Sequence, residues 1–125
     1  MATAEDLRRA ALALDGTVEA PHFDRTAFRV SRIYATLAAD GLSANVKLGP
    51  DEQELKCLVA PDAFAPVPKA WGRQGWTAVQ LARLDGRELA SVLEMAWKHA
   101  LPRPRTASRP ASASARPRPK PSPGT

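Results

Sequence analysis

Cysteine is almost missing from this chain: Cys57 is the only one in 125 residues, so no internal disulfide can form. Aromatic residues are scarce at 6%, so the core must be built mostly from aliphatic side chains. No run approaches the ~18 apolar residues that a membrane helix needs. The opening Met1-Ala-Thr-Ala-Glu5-Asp6 carries acids where a secretory leader has its apolar stretch. These absences predict a cytoplasmic protein with no membrane segment. His22, His99 and Cys57 are the only soft metal-ligand candidates, and no pair of them has zinc spacing. Neither a metal nor a cofactor is expected. Cys57 shows no base or oxyanion partner for nucleophilic catalysis, and His22 next to Asp24 reads as a loop histidine bonded to backbone rather than an acid–base pair, so the chain reads as non-catalytic.

Acidic residues are absent from one whole region. Arg103, Arg105, Arg109, Arg116, Arg118 and Lys120 all follow Leu101, and no acid lies among them. Of the 18 basic residues, 12 remain in 1–101 against all 13 acids, which leaves that part at −1. The net charge of +5 therefore belongs to the C-terminal stretch. Pro102 to Thr125 also holds seven prolines and four serines, with no aromatic residue. Such a composition cannot bury enough apolar area to offset its ordering entropy. The expected organisation is one domain over 1–101 and a disordered basic tail over 102–125.

The body alternates helical and extended signals. Thr3 with Asp6 has the form of an N-cap with an acid three residues on. Leu7, Ala10, Ala11 and Leu14 then recur on one helical face, and Asp15-Gly16 ends it. Glu19 to Asp24 reads as a loop around Pro21. Asp40-Gly41 is a hairpin signal. A two-residue loop there sets Leu42 against Ala39, Ala44 against Leu37, Val46 against Ala35 and Leu48 against Ile33. That face is apolar throughout, and a one-residue slip would destroy it. A turn at Ser31-Arg32 adds an earlier strand through Phe28 and Val30. Arg29, Tyr34 and Lys47 would then form a row across the outer face.

Gly49-Pro50-Asp51-Glu52 begins a second helix, with proline in the first turn and acids at the positive end. Leu55, Leu58 and Val59 form its apolar side, and Pro61 stops it. Asp62 to Pro68 reads as irregular, with Phe64 and Val67 anchored in the core. Lys69 to Leu81 contains Trp71 and Trp76 around Gly72-Arg73-Gln74-Gly75, followed by the alternation of a half-buried strand. That loop could present Arg73 and Gln74 to a partner. Its letters match the GXXG loop of KH domains, but that loop joins two helices and this one leads into a strand. Asp85 with Glu88 forms a capping box for a last helix, whose stripe is Leu89, Val92, Leu93, Ala96, Trp97 and Ala100. The expected fold is α+β: an antiparallel sheet, a β-meander plus a later strand, packed against about three helices.

Four segments carry a resemblance: P-H-F-D-R-T-A-F-R-V at 21–30, I-Y-A-T-L at 33–37, A-N-V-K-L at 44–48 and W-G-R-Q-G-W-T-A-V-Q-L at 71–81. Together they resemble the MmcQ/YjbR family, over about residues 4 to 100. The resemblance implies a small cytoplasmic α+β protein that binds DNA, with a double-wing arrangement of hairpins and no catalytic residue or metal. The residues placed toward DNA are Arg29, Tyr34, Lys47, Lys69, Trp71 and Arg73 in the body and the six basic residues of the tail. Binding should be weak and largely independent of sequence. The alternative is a non-enzymatic protein-interaction or small-ligand module with a basic tether.

Overall fold

The computed structural model describes residues 1–102. The expected disordered tail, with Arg103, Arg105, Arg109, Arg116, Arg118 and Lys120, lies outside the described residues.

The first helix, α1, spans Ala4–Leu12 and opens on the expected capping box of Thr3 and Asp6. It stops short of Asp15-Gly16, because the chain turns through Ala13 and Leu14 before Gly16 takes a positive φ of 78°. Four strands follow as a meander: β1 (Val18–His22), β2 (Arg25–Arg29), β3 (Ile33–Leu37) and β4 (Ser43–Lys47). Then come α2 (Pro50–Val59), β5 (Phe64–Pro66), the short α3 (Ala70–Arg73), β6 (Trp76–Gln80) and α4 (Gly86–Ala100). The six antiparallel strands are ordered β1-β2-β3-β4-β6-β5.

The α+β class and the sheet on about three long helices agree with the sequence. The β3–β4 register does so residue by residue, with Ala35 opposite Val46 and Leu37 opposite Ala44. The hairpin loop is wider than two residues. Pairing closes at Ala38 and Ser43, and the Asp40 carboxylate accepts the Leu42 N–H at 2.9 Å. Leu42 is consequently exposed and does not face Ala39 across a ladder.

Two segments read as irregular are strands. Glu19 to Asp24 is mostly β1, which tolerates Pro21 because it is an edge strand with one side unpaired. Part of Asp62 to Pro68 is β5, the opposite edge, again with a proline at its end. Phe64 is buried as expected, and Val67 is half-buried.

The core lies on one face of the sheet. Phe28, Ala35, Ala44, Val46 and Val79 point into it and meet Leu7 and Ala11 of α1 and Leu89, Val92, Leu93 and Ala96 of α4. Trp97 is half-buried, and its indole N–H donates to the Asp15 carbonyl at 2.9 Å. The second helix departs from expectation. Leu55, Leu58 and Val59 are exposed, and α2 has no fully buried residue. It docks instead through Cys57 and Gln53, whose amide donates to the carbonyls of Gly72 and Trp76. Periodicity identified a helix with an apolar side, but docking through the opposite side left that side in water.

Leu93→Ala should destabilise the chain by about 2–5 kcal/mol, as a fully buried truncation. Leu58→Ala should change stability by less than ~0.5 kcal/mol. Urea unfolding of the two variants checks both, and similar losses would contradict the orientation of α2.

Candidate nucleic-acid interface

The face of the sheet away from α1 and α4 is made of small side chains. Ala20, Ala27, Thr36, Asn45, Ala78 and Ala65 follow one another across all six strands in register. Residues this short leave a shallow trough. Larger side chains rise from its opposite corners, because they sit two residues along each strand on the same face. At one corner are His22 and Arg25, which pair across β1 and β2. At the other are Lys47 and Trp76, which pair across β4 and β6.

A cleft of about 280 Å³ lies over Thr36 and Asn45, bounded by Phe23 and Arg25 on one side and by Val67, Trp71 and Trp76 on the other. Phe23 is 93% exposed and Trp71 is 60% exposed. Phe23 occupies the β1–β2 turn with φ 58°, its ring 4.8 Å from the His22 ring in an edge contact. That backbone region is normal for glycine and uncommon for a bulky residue. Exposure and left-handed backbone both count against phenylalanine here, so folding alone does not account for it. The floor is held firmly. Arg25 donates from Nε to the Thr36 hydroxyl at 2.9 Å and from its terminal nitrogen to the Thr36 carbonyl at 3.3 Å. None of the hydrogen bonds among the described residues engages the Asn45 side-chain amide.

The tryptophan segment is positioned by its glycines. A Cβ on Gly72 would stand 2.0 Å from the Val67 carbonyl oxygen, and one on Gly75 the same distance from that of Leu48. Both positions demand glycine, so the segment is clamped against β4 and β5. Gly72-Arg73 belongs to the short α3 rather than to an open loop. Trp71 is thereby pushed out to the cleft, Trp76 is half-buried at its side, and Arg73 is exposed on α3. Lys69 is exposed with φ 67° at the start of α3.

Tyr34 requires a correction. Phe28 pairs with Ala35, but Arg29 pairs with Ile33, so β3 carries one extra residue there. This bulge turns Tyr34 from the outer face into the core. It is fully buried, its hydroxyl lies 2.9 Å from that of Thr17, and it donates to the Ala11 carbonyl at 3.3 Å. Burial pushes the phenol above its ordinary value, although the Thr17 hydroxyl works the other way. Tyr34 cannot stack on a base, and the Arg29, Tyr34 and Lys47 row is broken. Arg29 is exposed but stands four residues from Arg25, roughly 13 Å along the strand. Of the body residues picked from sequence, Lys47 and Trp71 are brought to the trough. Phe23, Arg25, Asn45 and Trp76 were missed. The tight turn that hands His22 to Arg25 was the signal for Phe23, obscured because Pro21 argues for a loop.

A second cavity of about 560 Å³ adjoins Lys47 and is lined also by Arg32, Lys98, His99, Leu101 and Pro102. Lys47 thus borders both the cavity and the trough face. Beside it the Glu52 carboxylate accepts the Gly49 N–H at 2.9 Å and meets His99 Nε2 at 2.8 Å. Partial burial alone would raise the Glu52 carboxyl. The Gly49 hydrogen bond, His99 and Lys98 outweigh that and hold it below its ordinary value. Burial pushes the Cys57 thiol above its ordinary value. Among the described residues no three His, Cys, Asp or Glu side chains group closely enough to hold a metal ion. No helix among them is long and apolar enough to cross a membrane.

Phe23→Gly should leave stability unchanged or raise it by up to about 1 kcal/mol, because the left-handed backbone is then unstrained. Thermal unfolding reads this directly. Glu52 has a lowered folded-state pKa, so its stabilising contribution is present above the ordinary carboxyl value of 4.5 and is lost as pH falls through the folded value. Acid unfolding of Glu52→Gln should therefore show a weaker loss of stability below about pH 4.5 than the parent chain.

Comparison with known proteins agrees with this architecture. No curated protein matches the chain. Among solved structures, a Deinococcus radiodurans protein with a domain described as DUF419 is similar, with a TM-score of 0.66 and 24% identity. The match covers 77% of this chain and 76% of that one. A Pseudomonas syringae protein is similar at a TM-score of 0.57 and 15% identity, over 78% of this chain and 97% of its own. Both show the fold. The YjbR family profile matches residues 12–99, which spans every strand of the sheet and nearly all of α4, and the chain belongs to the YjbR family.

Proposed function

We propose that this protein is a non-catalytic nucleic-acid-binding protein, with DNA as its partner and with weak, largely sequence-independent affinity. The observation that carries this reading is the uncovered sheet face, where Phe23 and Trp71 stand exposed around a cleft shared with Arg25 and next to Lys47. Exposed aromatics beside cations are the elements of a stacking and phosphate-contacting surface. The six acid-free positive charges after Leu101 add an electrostatic term. Arg29, Lys69 and Arg73 are exposed and supply further phosphate contacts at the edges of the domain. Charges alone would act without regard to sequence, through release of condensed counterions. A body at −1 cannot itself supply a strong field, which is why the affinity is weak.

A second reading rests on two other observations. The exposed Leu55, Leu58 and Val59 of α2 suit a protein contact, and the cavity lined by Arg32, Lys47, Lys98 and His99 suits a small anionic ligand.

The test is binding of the full chain to duplex and single-stranded DNA at several salt concentrations. With all six tail charges engaged, log K should fall against log salt with a slope of about −5 on duplex, and a shallower slope if fewer engage. Replacing the six tail residues with glutamine should remove most of the affinity. The remainder should respond to Lys47→Ala and Arg73→Ala. No salt-dependent binding by the parent chain would reject the nucleic-acid reading in favour of the second.

A further inference from the structure

We infer that the cleft over Thr36 and Asn45 is a seat for one unpaired nucleobase, held between Phe23 and Trp71, so that the protein selects single-stranded over duplex nucleic acid. This inference rests on the nucleic-acid reading and names the substrate class within it.

Size and lining fit a single ring system. At about 280 Å³ the cleft falls just below the range that takes drug-sized ligands. Its walls are the rings of Phe23, Trp71 and Trp76 and the side chain of Val67, with His22, Asp24 and Arg25 at the β1–β2 end. Apolar walls favour a flat aromatic face over a phosphate. The two most exposed aromatics of the domain rise from separate elements, the β1–β2 turn and α3, on opposite sides of the floor. Phe23 keeps a backbone conformation that glycine would adopt more easily, so its ring has a use other than packing.

The floor is polar where a base edge would lie. Asn45 offers an amide with both donors and an acceptor, and that amide is uncommitted among the described residues. Thr36 already accepts from Arg25, and its hydroxyl proton remains to be donated. In a duplex the Watson–Crick edges are paired and the ring faces are stacked, so neither floor nor walls could be satisfied. An unpaired base presents both.

The surroundings supply the matching charge. Lys47 lies two residues from Asn45 on the same face of β4, roughly 7 Å away. It also lines the neighbouring cavity with Arg32 and Lys98, where the phosphates flanking a seated base would meet positive charge. Pro102 lines that cavity too, and the acid-free basic segment begins at the next residue.

The experiment compares three probes with the full chain by fluorescence anisotropy: a short single-stranded DNA, the same strand with abasic sites throughout, and the corresponding duplex. The abasic strand keeps every phosphate and lacks every base. The single strand should bind about ten-fold or more tighter than either of the others, in line with one stacked base. Trp71→Ala and Phe23→Gly should each lose about five-fold or more on the single strand and nothing on the abasic strand. Asn45→Ala should alter the order of preference among single-strand homopolymers. Trp71 and Phe23 are both exposed, so neither variant should lose its fold, and thermal unfolding of each checks this. If abasic strand or duplex bound as well as single strand, or if neither aromatic substitution mattered, the base seat would be overturned while nucleic-acid binding stood. Failure of all three probes to bind would overturn both.

Discussion

Burial of the sheet on one face only is the constraint from which the rest of this structure follows. Two helices with apolar stripes, α1 and α4, cover a six-stranded sheet from the same side. Neither helix reaches the other side, over which only the side chains that line the cleft extend. That side must therefore meet water without presenting a large apolar patch, and the row from Ala20 to Ala65 does so with small residues. Each residue shortened for this reason deepens the trough. The cleft is thus a consequence of how the core was segregated, and the aromatics at its rim are additions that the core did not require.

Backbone approach then decides where those additions stand. Gly72 and Gly75 let α3 and the start of β6 press against the Val67 and Leu48 carbonyls, closer than any side chain would allow. Gln53 of α2 reinforces the same junction through the Gly72 and Trp76 carbonyls and the Thr77 hydroxyl. Trp71 is held out over the trough by a rigid support. On the opposite corner Arg25 is locked to Thr36, so the turn carrying Phe23 grows from an equally ordered base. A site whose rims are fixed by backbone and hydrogen bonds loses less entropy on binding than one on mobile loops.

The bulge at Tyr34 links the core to the exposed face. One extra residue in β3 turns a large aromatic inward, where its hydroxyl ties β3 to α1 through the Ala11 carbonyl and to the α1–β1 connection through Thr17. The same step removes bulk from the outer face between Arg29 and Lys47. An unbroken alternation would have left Tyr34 in solvent and α1 without that tether.

The sequence by itself determined the three long helices and the register of the central hairpin. Caps at Thr3 and Asp85 are local hydrogen bonds between residues three apart, so they are legible without knowledge of the fold. The Ala35–Val46 register is legible because only one pairing makes a face wholly apolar. Tertiary structure alone decided the rest. The edge strands β1 and β5 contain prolines that local rules assign to loops, and only a free sheet edge makes them strands. The exposed face of α2 was decided by which side docked, and the turn of Tyr34 by a bulge that no residue announces. The cleft joins His22 to Trp76 across strands distant in sequence. Such a juxtaposition is set by strand order, which is a long-range property that no local pattern encodes.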